Sequence, residues 1–248
     1  MKIEQTAELT RRVRVHAALA DATRLRVIDL LDVSDASSSE LRDALGVPTN
    51  LLAHHLGVLE AAGLVVKHRS EGDGRRWYHS LDRDALGDGA DAGTRMAVGS
   101  PRRVLFVCTA NTARSHLAAA LWRRASPVDA ASAGTHPGEE INPGAVAAAA
   151  RHGLALPRVA PRLLAEHRRD GDLVITVCDR AHEELGGSAW AHWSIPDPVD
   201  EGTDDAFDRA HHRLAARVAS LAPRVVSASS AAGSAPARPQ APGRGQDQ

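Results

Sequence analysis

The sequence predicts two domains in series: a winged helix-turn-helix of the α+β class, then an α/β domain built on a parallel sheet. Three observations carry this. The first 86 residues read helix, helix, tight turn, helix, hairpin, which is the order of a winged helix. From Arg103 onward, short apolar runs alternate with helical stretches, as parallel strands joined by helices require. Between the two, residues 87–102 (GDGADAGTRMAVGSPR) are rich in Gly and Ala without periodicity and read as a linker. A length of 248 residues suits two modest domains.

Each element has its own signal. A first helix is expected over 4–20, with Leu9, Val13, Ala17 and Ala20 at helical spacing. Asp21 can cap a second, in which Leu25, Ile28 and Leu31 recur. Ser37-Ser38-Ser39-Glu40 is a capping-box pattern for a short third helix that stops at Gly46. After the Val47-Pro48 turn, a helix over 49–62 puts Leu52, Leu56 and Leu59 on one face, and Gly63 ends it. Runs 64–69 and 75–80, joined by Ser-Glu-Gly-Asp-Gly, read as a hairpin. In the second domain, 104–107 and 173–177 are apolar strands and 116–124 a helix. Asn142-Pro143 starts another helix, which Gly153 stops. Thr203 caps the last one, with Phe207, Ala210, Leu214 and Val218 as its stripe. The domain closes near residue 225, and the Ala/Ser/Pro/Gly/Gln composition of 226–248 predicts disorder.

Composition narrows the function. No apolar run approaches the roughly 18 residues of a membrane span, and the N-terminus lacks a signal peptide. A cytoplasmic address and no membrane partner are therefore expected. Two cysteines cannot make a disulfide framework; in a reducing compartment they are catalytic or simply buried. The net charge is −1, and residues 1–90 carry 12 Lys and Arg against 14 Asp and Glu, so contact with DNA has to come from a local patch.

Such a patch is present. The helix from Thr49 follows a short helix and a turn, the arrangement that sets a second helix in the major groove. With the leucines inward, Thr49, Asn50, Ala53 and His54 face outward with His55 beside them, residue types that reach base edges or phosphates. Lys67, His68, Arg69, Arg75 and Arg76 of the hairpin add positive charge beside that helix. The segments "HAALADATRLRVIDLL" and "LLAHHLGVLEAAGLVVKHRSEGDGRRWYHSL" resemble the ArsR/SmtB family of winged-helix repressors, over about residues 8–85. That resemblance implies a homodimer on operator DNA, released by a metal or metalloid. Arsenic sensors of the family carry cysteines in the short helix before the recognition helix. Here the stretch is Ser37-Ser38-Ser39-Glu40-Leu41, which argues against thiolate sensing inside this domain.

The most informative stretch runs from Val104 to Ser115. A strand delivers Cys108 to its C-terminal end, and a helix begins near Ser115. The amides of Thr109, Ala110, Asn111, Thr112 and Ala113 can curl around a tetrahedral anion, and the helix N-terminus adds partial positive charge. Arg114 supplies a planar fork for two oxygens. Such surroundings bring a cysteine from a pKa of ~8.5 to roughly 3.5–7.5, so a nucleophilic thiolate is expected. Ser115 is placed to hydrogen-bond the sulfur and Asn111 to organise the loop. His182, His192, His211 and His212 include only one adjacent pair, and helix neighbours point to different faces; solvated roles and no metal site are expected.

"VCTANTARS", "SAGTHPG" at 132–138, "DLVITVCDRAHEEL" at 172–185 and "DPV" at 197–199 resemble the low-molecular-weight tyrosine phosphatase superfamily, over about 101–222. That superfamily includes thioredoxin-coupled and mycothiol-coupled arsenate reductases. The resemblance implies a four-stranded parallel sheet with a phosphate-binding loop, Cys108 as nucleophile, Arg114 as anion clamp and Asp197 as general acid. Its tyrosine phosphatases usually place a cysteine before the loop arginine, a proline after the Ser and tyrosines after Asp-Pro. Here Ala113, His116 and Val199-Asp200 stand there instead, which leans towards arsenate reductase. Cys178 ends "LVITVC", where thioredoxin-coupled reductases keep their second relay cysteine, and the third is missing from "DRAHEELGGSAWAHW". Cys178 is then a disulfide partner for Cys108, a bystander while an outside thiol (thioredoxin, or mycothiol with mycoredoxin) resolves the intermediate, or a packed apolar residue. No bound cofactor is expected. Three functions stay open: a DNA-binding regulator that also reduces arsenate, a phosphatase on a DNA-binding module, and a non-catalytic oxyanion-sensing repressor.

Overall fold

The computed structural model describes residues 6–86, 98 and 100–225. The N-terminal domain runs α1 (Ala7–Leu19), α2 (Ala22–Val33), β1 (Ala36–Ser37), α3 (Ser38–Leu45), α4 (Thr49–Ala61), β2 (Val65–Arg69), β3 (Trp77–Leu81) and α5 (Arg83–Leu86). Local chemistry sets the boundaries. Asp21 accepts from Arg24 N at 2.9 Å, Ser37 and Glu40 form the reciprocal capping box, and Gly46 closes α3 in the left-handed region at φ 66°. The strands form an antiparallel sheet in the order β1-β3-β2. Val27, Ile28, Leu31, Leu41, Leu52, Leu59 and Leu64 make the core beneath it.

Two expected faces are corrected. In α1 the buried residues are Val15 and Ala18, while Val13 is 59% exposed and Ala17 also faces out. In α2, Val27 is buried and Leu25 lies on the surface. Both helices offer more than one periodic stripe, and the neighbouring helix decides which one is covered.

The second domain runs β4 (Arg103–Cys108), α6 (Arg114–Ala125), β5 (Asp129–Gly134), α7 (Pro143–Arg151), α8 (Leu164–His167), β6 (Asp172–Thr176), α9 (Asp179–Glu184), β7 (Ala191–His192), α10 (Pro198–Glu201) and α11 (Asp204–Leu221). Its four strands are parallel in the order β5-β4-β6-β7. Val104, Leu105, Phe106 and Val107 have no exposed surface, as a central strand covered on both faces requires. α11 buries Phe207, Ala210, Leu214 and Val218, as its spacing predicts. The sequence reading missed β5, whose Asp-Ala-Ala-Ser-Ala-Gly has no β-branched or large apolar residue, and β7, which is two residues long. β5 is held by pairing all six of its residues with β4. No helix among the described residues is long and apolar enough to cross a membrane.

The linker reading holds less of 87–102 than expected. Val98 is buried in the second domain's core and bridges Val225 in parallel. Residues 87–97 and the 226–248 tail lie outside the described residues.

The domains are also joined side by side. Asp35 N donates to His192 O at 2.7 Å and His192 N to Ser34 Oγ at 2.9 Å, so the first domain occupies the free edge of β7. Trp193 Nε1 donates to Val33 O at 3.0 Å. The buried Arg217 guanidinium pairs with the buried Asp35 carboxylate, whose other oxygen accepts from Ser194 N at 2.8 Å.

Candidate active site and DNA-binding face

Cys108 sits at the C-terminal end of β4, where the loop 109–113 turns into α6. Its sulfur accepts from Asn111 N at 3.2 Å and lies 3.1 Å from Ser115 Oγ. Ser115 Oγ also accepts from Asn111 Nδ2 at 2.8 Å, which leaves the hydroxyl proton to point at the sulfur. Asn111 is fully buried, and its Oδ1 accepts from Arg162 N at 2.8 Å. It holds φ 52°, the one positive φ at a non-glycine among the described residues; Asn tolerates that region better than most. Thr109 to Ala113 thus form one tight curl. Gly134 on β5 lets it close, because a Cβ there would stand 2.5 Å from Thr109 O.

Arg114 is buried at the first turn of α6. Nη1 donates to Ile195 O at 2.9 Å and lies 3.5 Å from Glu71 Oε2, while Nη2 pairs with the Asp197 carboxylate. Burial works against its charge, but Cys178, Asp197, Cys108 and Glu71 outweigh it and hold the pKa above the ordinary value. Asp197 caps α10, accepting from Val199 N at 3.1 Å. Asp197 and Arg114 thus meet although they lie 83 residues apart.

A cavity of about 190 Å³ opens here, lined by Glu71, Thr109, Ala110, Arg114, Cys178, Asp179, Arg180, Asp197 and Asp200. Cys108 is 3% exposed and is not among the residues that line it. Cys178 is a free, buried thiol at the N-terminus of α9, with Sγ 3.4 Å from Thr109 Oγ1. Burial and the neighbouring Cys108 charge push its pKa up to about 11, against the opposing pull of Arg114, so it carries its proton at neutral pH.

Glu71 is the functional candidate the sequence reading missed. It comes from the hairpin of the first domain, and nothing local in Ser-Glu-Gly-Asp-Gly distinguishes it from a turn residue. Burial raises its carboxyl pKa, opposed by Arg114 and by the hydrogen bond from Asp197 N, while the charges of Asp179 and Asp197 add to the rise.

Thr49, Asn50 and His54 of α4 are exposed, as are Arg69, Arg75 and Arg76 of the hairpin. His55 is not. It is 6% exposed, with Nδ1 3.6 Å from Asp21 Oδ1, because position 55 falls on the leucine face of α4. His55 is therefore withdrawn from the DNA-facing set.

The solvated reading of the other histidines also fails for three of the four. His182, His192 and His211 are buried, and His212 alone is exposed. His192 Nε2 lies 3.1 Å from Asp179 Oδ1, and His182 Nε2 reaches across the domains to Glu40 Oε1 at 2.8 Å. His152, unmarked in the sequence, joins His211 and His212 in a group with ring nitrogens within 4.8 Å of one another. The rings of His152 and His211 stack at 3.8 Å with planes 6° apart, so their in-plane lone pairs do not converge on one point.

Two family models match the chain. Residues 103–231, more than half of the chain, match the family model described as low molecular weight phosphotyrosine protein phosphatase. Residues 19–68 match a helix-turn-helix domain model. The transcriptional repressor SdpR of Bacillus subtilis (strain 168) is 30% identical over 74 residues, which is 30% of this chain and 79% of that protein. Among solved structures, an arsenate reductase from Archaeoglobus fulgidus DSM 4304 is similar with 29% identity over 48% of this chain and 98% of its own, at a TM-score of 0.42. A YwlE mutant from Bacillus subtilis is similar with 25% identity over 49% and 97%, at 0.44. The chain belongs to the low molecular weight phosphotyrosine protein phosphatase family, and it carries a helix-turn-helix DNA-binding domain ahead of that enzyme domain.

Proposed function

We propose that this protein is a homodimeric DNA-binding regulator whose C-terminal domain reduces arsenate. The observation that carries the chemistry is a second thiol, Cys178, lining the same small cavity as Arg114, with no aromatic side chain among the described residues that line it to receive an aryl ester. A cavity of about 190 Å³ suits an inorganic oxyanion. The regulatory half rests on the exposed Thr49, Asn50 and His54, the basic hairpin, and the kinship with a transcriptional repressor.

The Cys108 sulfur attacks arsenic, with the Asn111 N–H and Ser115 stabilising its negative charge. An S–As bond forms as one As–O bond breaks, and Asp197, released from Arg114 by the anion, protonates the departing oxygen, which leaves as water. A second thiol then attacks the Cys108 sulfur. The S–As electron pair passes to arsenic, reducing As(V) to As(III), and arsenite departs as a disulfide forms. Cys178 is the internal candidate for that thiol. An external thiol of the thioredoxin or mycothiol class restores the reduced state, and the protein needs no bound cofactor.

Family membership keeps a second reading in play, hydrolysis of a phosphate ester through a phosphocysteine at the same sulfur. One preparation separates the two. Arsenite production with thioredoxin or with mycothiol and mycoredoxin is measured beside aryl-phosphate turnover without thiol. Thiol-dependent arsenite that disappears in Cys108→Ser is expected. Arsenite formation that survives Cys108→Ser, or none with either thiol system, would refute the reductase. Binding of arsenate that changes DNA retention without turnover would leave a sensor.

A further inference from the structure

The tip of the hairpin, residues 70–73, docks on α9, and its Glu71 lines the cavity that Arg114 and Cys178 share. Glu71 N donates to Asp179 Oδ2 at 2.9 Å, Asp73 N to Glu183 Oε2 at 2.7 Å and Ser70 Oγ to Glu183 Oε1 at 2.7 Å. Gly72 approaches so closely that a Cβ there would stand 2.9 Å from the Arg180 backbone. This docking brings the Glu71 carboxylate 3.5 Å from Arg114 Nη1, where it also accepts from Asp197 N at 3.0 Å. Arg114 has a single fork. With Asp197 on one nitrogen and Glu71 beside the other, an oxyanion can take it bidentately only when both carboxylates yield. Asp197 can yield within its own domain. While Ser70, Glu71 and Asp73 stay bonded to α9, a Glu71 carboxylate that turns aside remains beside the incoming dianion, and that repulsion favours drawing the hairpin tip away.

We propose, resting on the oxyanion reading above, that Glu71 is a specificity-determining residue lent to the pocket by the DNA-binding domain. It is a resident anion that an incoming oxyanion displaces, lifting the hairpin tip off the enzyme domain. A doubly charged tetrahedral anion such as arsenate or phosphate competes well against one carboxylate for a guanidinium. A singly charged anion such as nitrate or a phosphodiester does not. The displacement also links the two domains. While docked, the tip is covered by Asp179, Glu183 and Asp197, acidic groups that repel a DNA phosphate. Arg69, Arg75 and Arg76 are already exposed, and lifting the tip moves them away from that acidic surface. Oxyanion and DNA then strengthen one another's binding by the same factor, because linkage between two equilibria is reciprocal.

The test uses the full chain and inorganic phosphate, which binds without being reduced. Occupancy is read by protection of Cys108 from alkylation, resolved from Cys178 by mass. Tip release is read by hydrogen exchange of the amides in 70–76. Both are expected to change with one midpoint. Glu71→Gln and Gly72→Ala are each expected to lower that midpoint about tenfold, within the usual range for coupled sites, and to raise tip exchange before phosphate is added. Gly72 does not line the pocket, so an effect of Gly72→Ala has to pass through the docked tip. On a duplex bound by the full chain, phosphate raises affinity by the same factor. Tip amides that stay protected while phosphate covers Cys108 would overturn the coupling and leave the oxyanion pocket standing. Release of the duplex would overturn its direction. Failure of phosphate to protect Cys108 at all would overturn the oxyanion reading itself.

Discussion

Replacing Asn111 by Ala isolates the residue that shapes the anion loop without touching its sulfur or its guanidinium. Asn111 donates to Ser115 Oγ and accepts from Arg162 N, both at 2.8 Å, and it is fully buried. Each bond is worth about 1 kcal/mol net, and burial leaves the orphaned Arg162 amide and Ser115 oxygen without an easy substitute. Alanine must also hold φ 52°, which costs about 1 kcal/mol more for a residue that lacks the local hydrogen bonding of Asn. Stability is therefore expected to fall by about 3 kcal/mol in urea unfolding followed by fluorescence of the buried Trp122 and Trp193. With the Ser115 proton no longer directed at Cys108, turnover is expected to fall by about 10²-fold, the usual effect of losing one preorganised donor. Asn111→Gly separates the contributions: it restores the backbone freedom but neither hydrogen bond, so it recovers about 1 kcal/mol of the loss and leaves the rate low. If Asn111→Ala matched the wild type in both stability and rate, the loop would not depend on this side chain and the account of the sulfur's environment would be wrong.

Acid is expected to weaken the fold in two stages. His79, His116 and His211 are held down to about 4, chiefly by burial, from an ordinary 6.5. The unfolded chain binds those protons first, so stability drops as pH falls from 6.5 towards 4, and denaturant midpoints across that range test it. Glu40 follows. Burial works against its charge, yet His182 and the Ser37 amide and hydroxyl hold it at about 2, so its contribution is present above pH 4.5 and lost on the way down to 2. Glu40→Gln should flatten that second stage; an unchanged slope below pH 4.5 would contradict it. Asp35→Ala leaves the buried Arg217 charge without its partner at the domain junction, and a loss of about 3–5 kcal/mol is expected in the same unfolding assay. A loss under about 1 kcal/mol would mean that water reaches Arg217 and the junction is looser than its contacts imply.

Much of this molecule was legible in local patterns. The capping box at Ser37–Glu40, the left-handed glycine at 46, the Asn142-Pro143 start and the α11 stripe are each decided by residues within a few positions of one another, and each was read correctly. The run from β4 through Ser115 was legible for the same reason, since strand, loop and helix are consecutive. His55 was misread because two adjacent residues of a helix point to different faces, and only the packed leucines say which is inside. Val13 and Leu25 went the same way.

By itself, the sequence determined the two domains, the helix-turn-helix order and the strand, loop and helix that carry Cys108, because those depend on short-range periodicity and on one contiguous loop. Only the tertiary structure decided that Cys178 and Arg114 line one cavity, that Asp35 meets Arg217 across 182 residues, and that the hairpin tip delivers Glu71 to Arg114. These are meetings between surfaces distant along the chain. They are set by how whole helices and strands pack, and no local spacing records that.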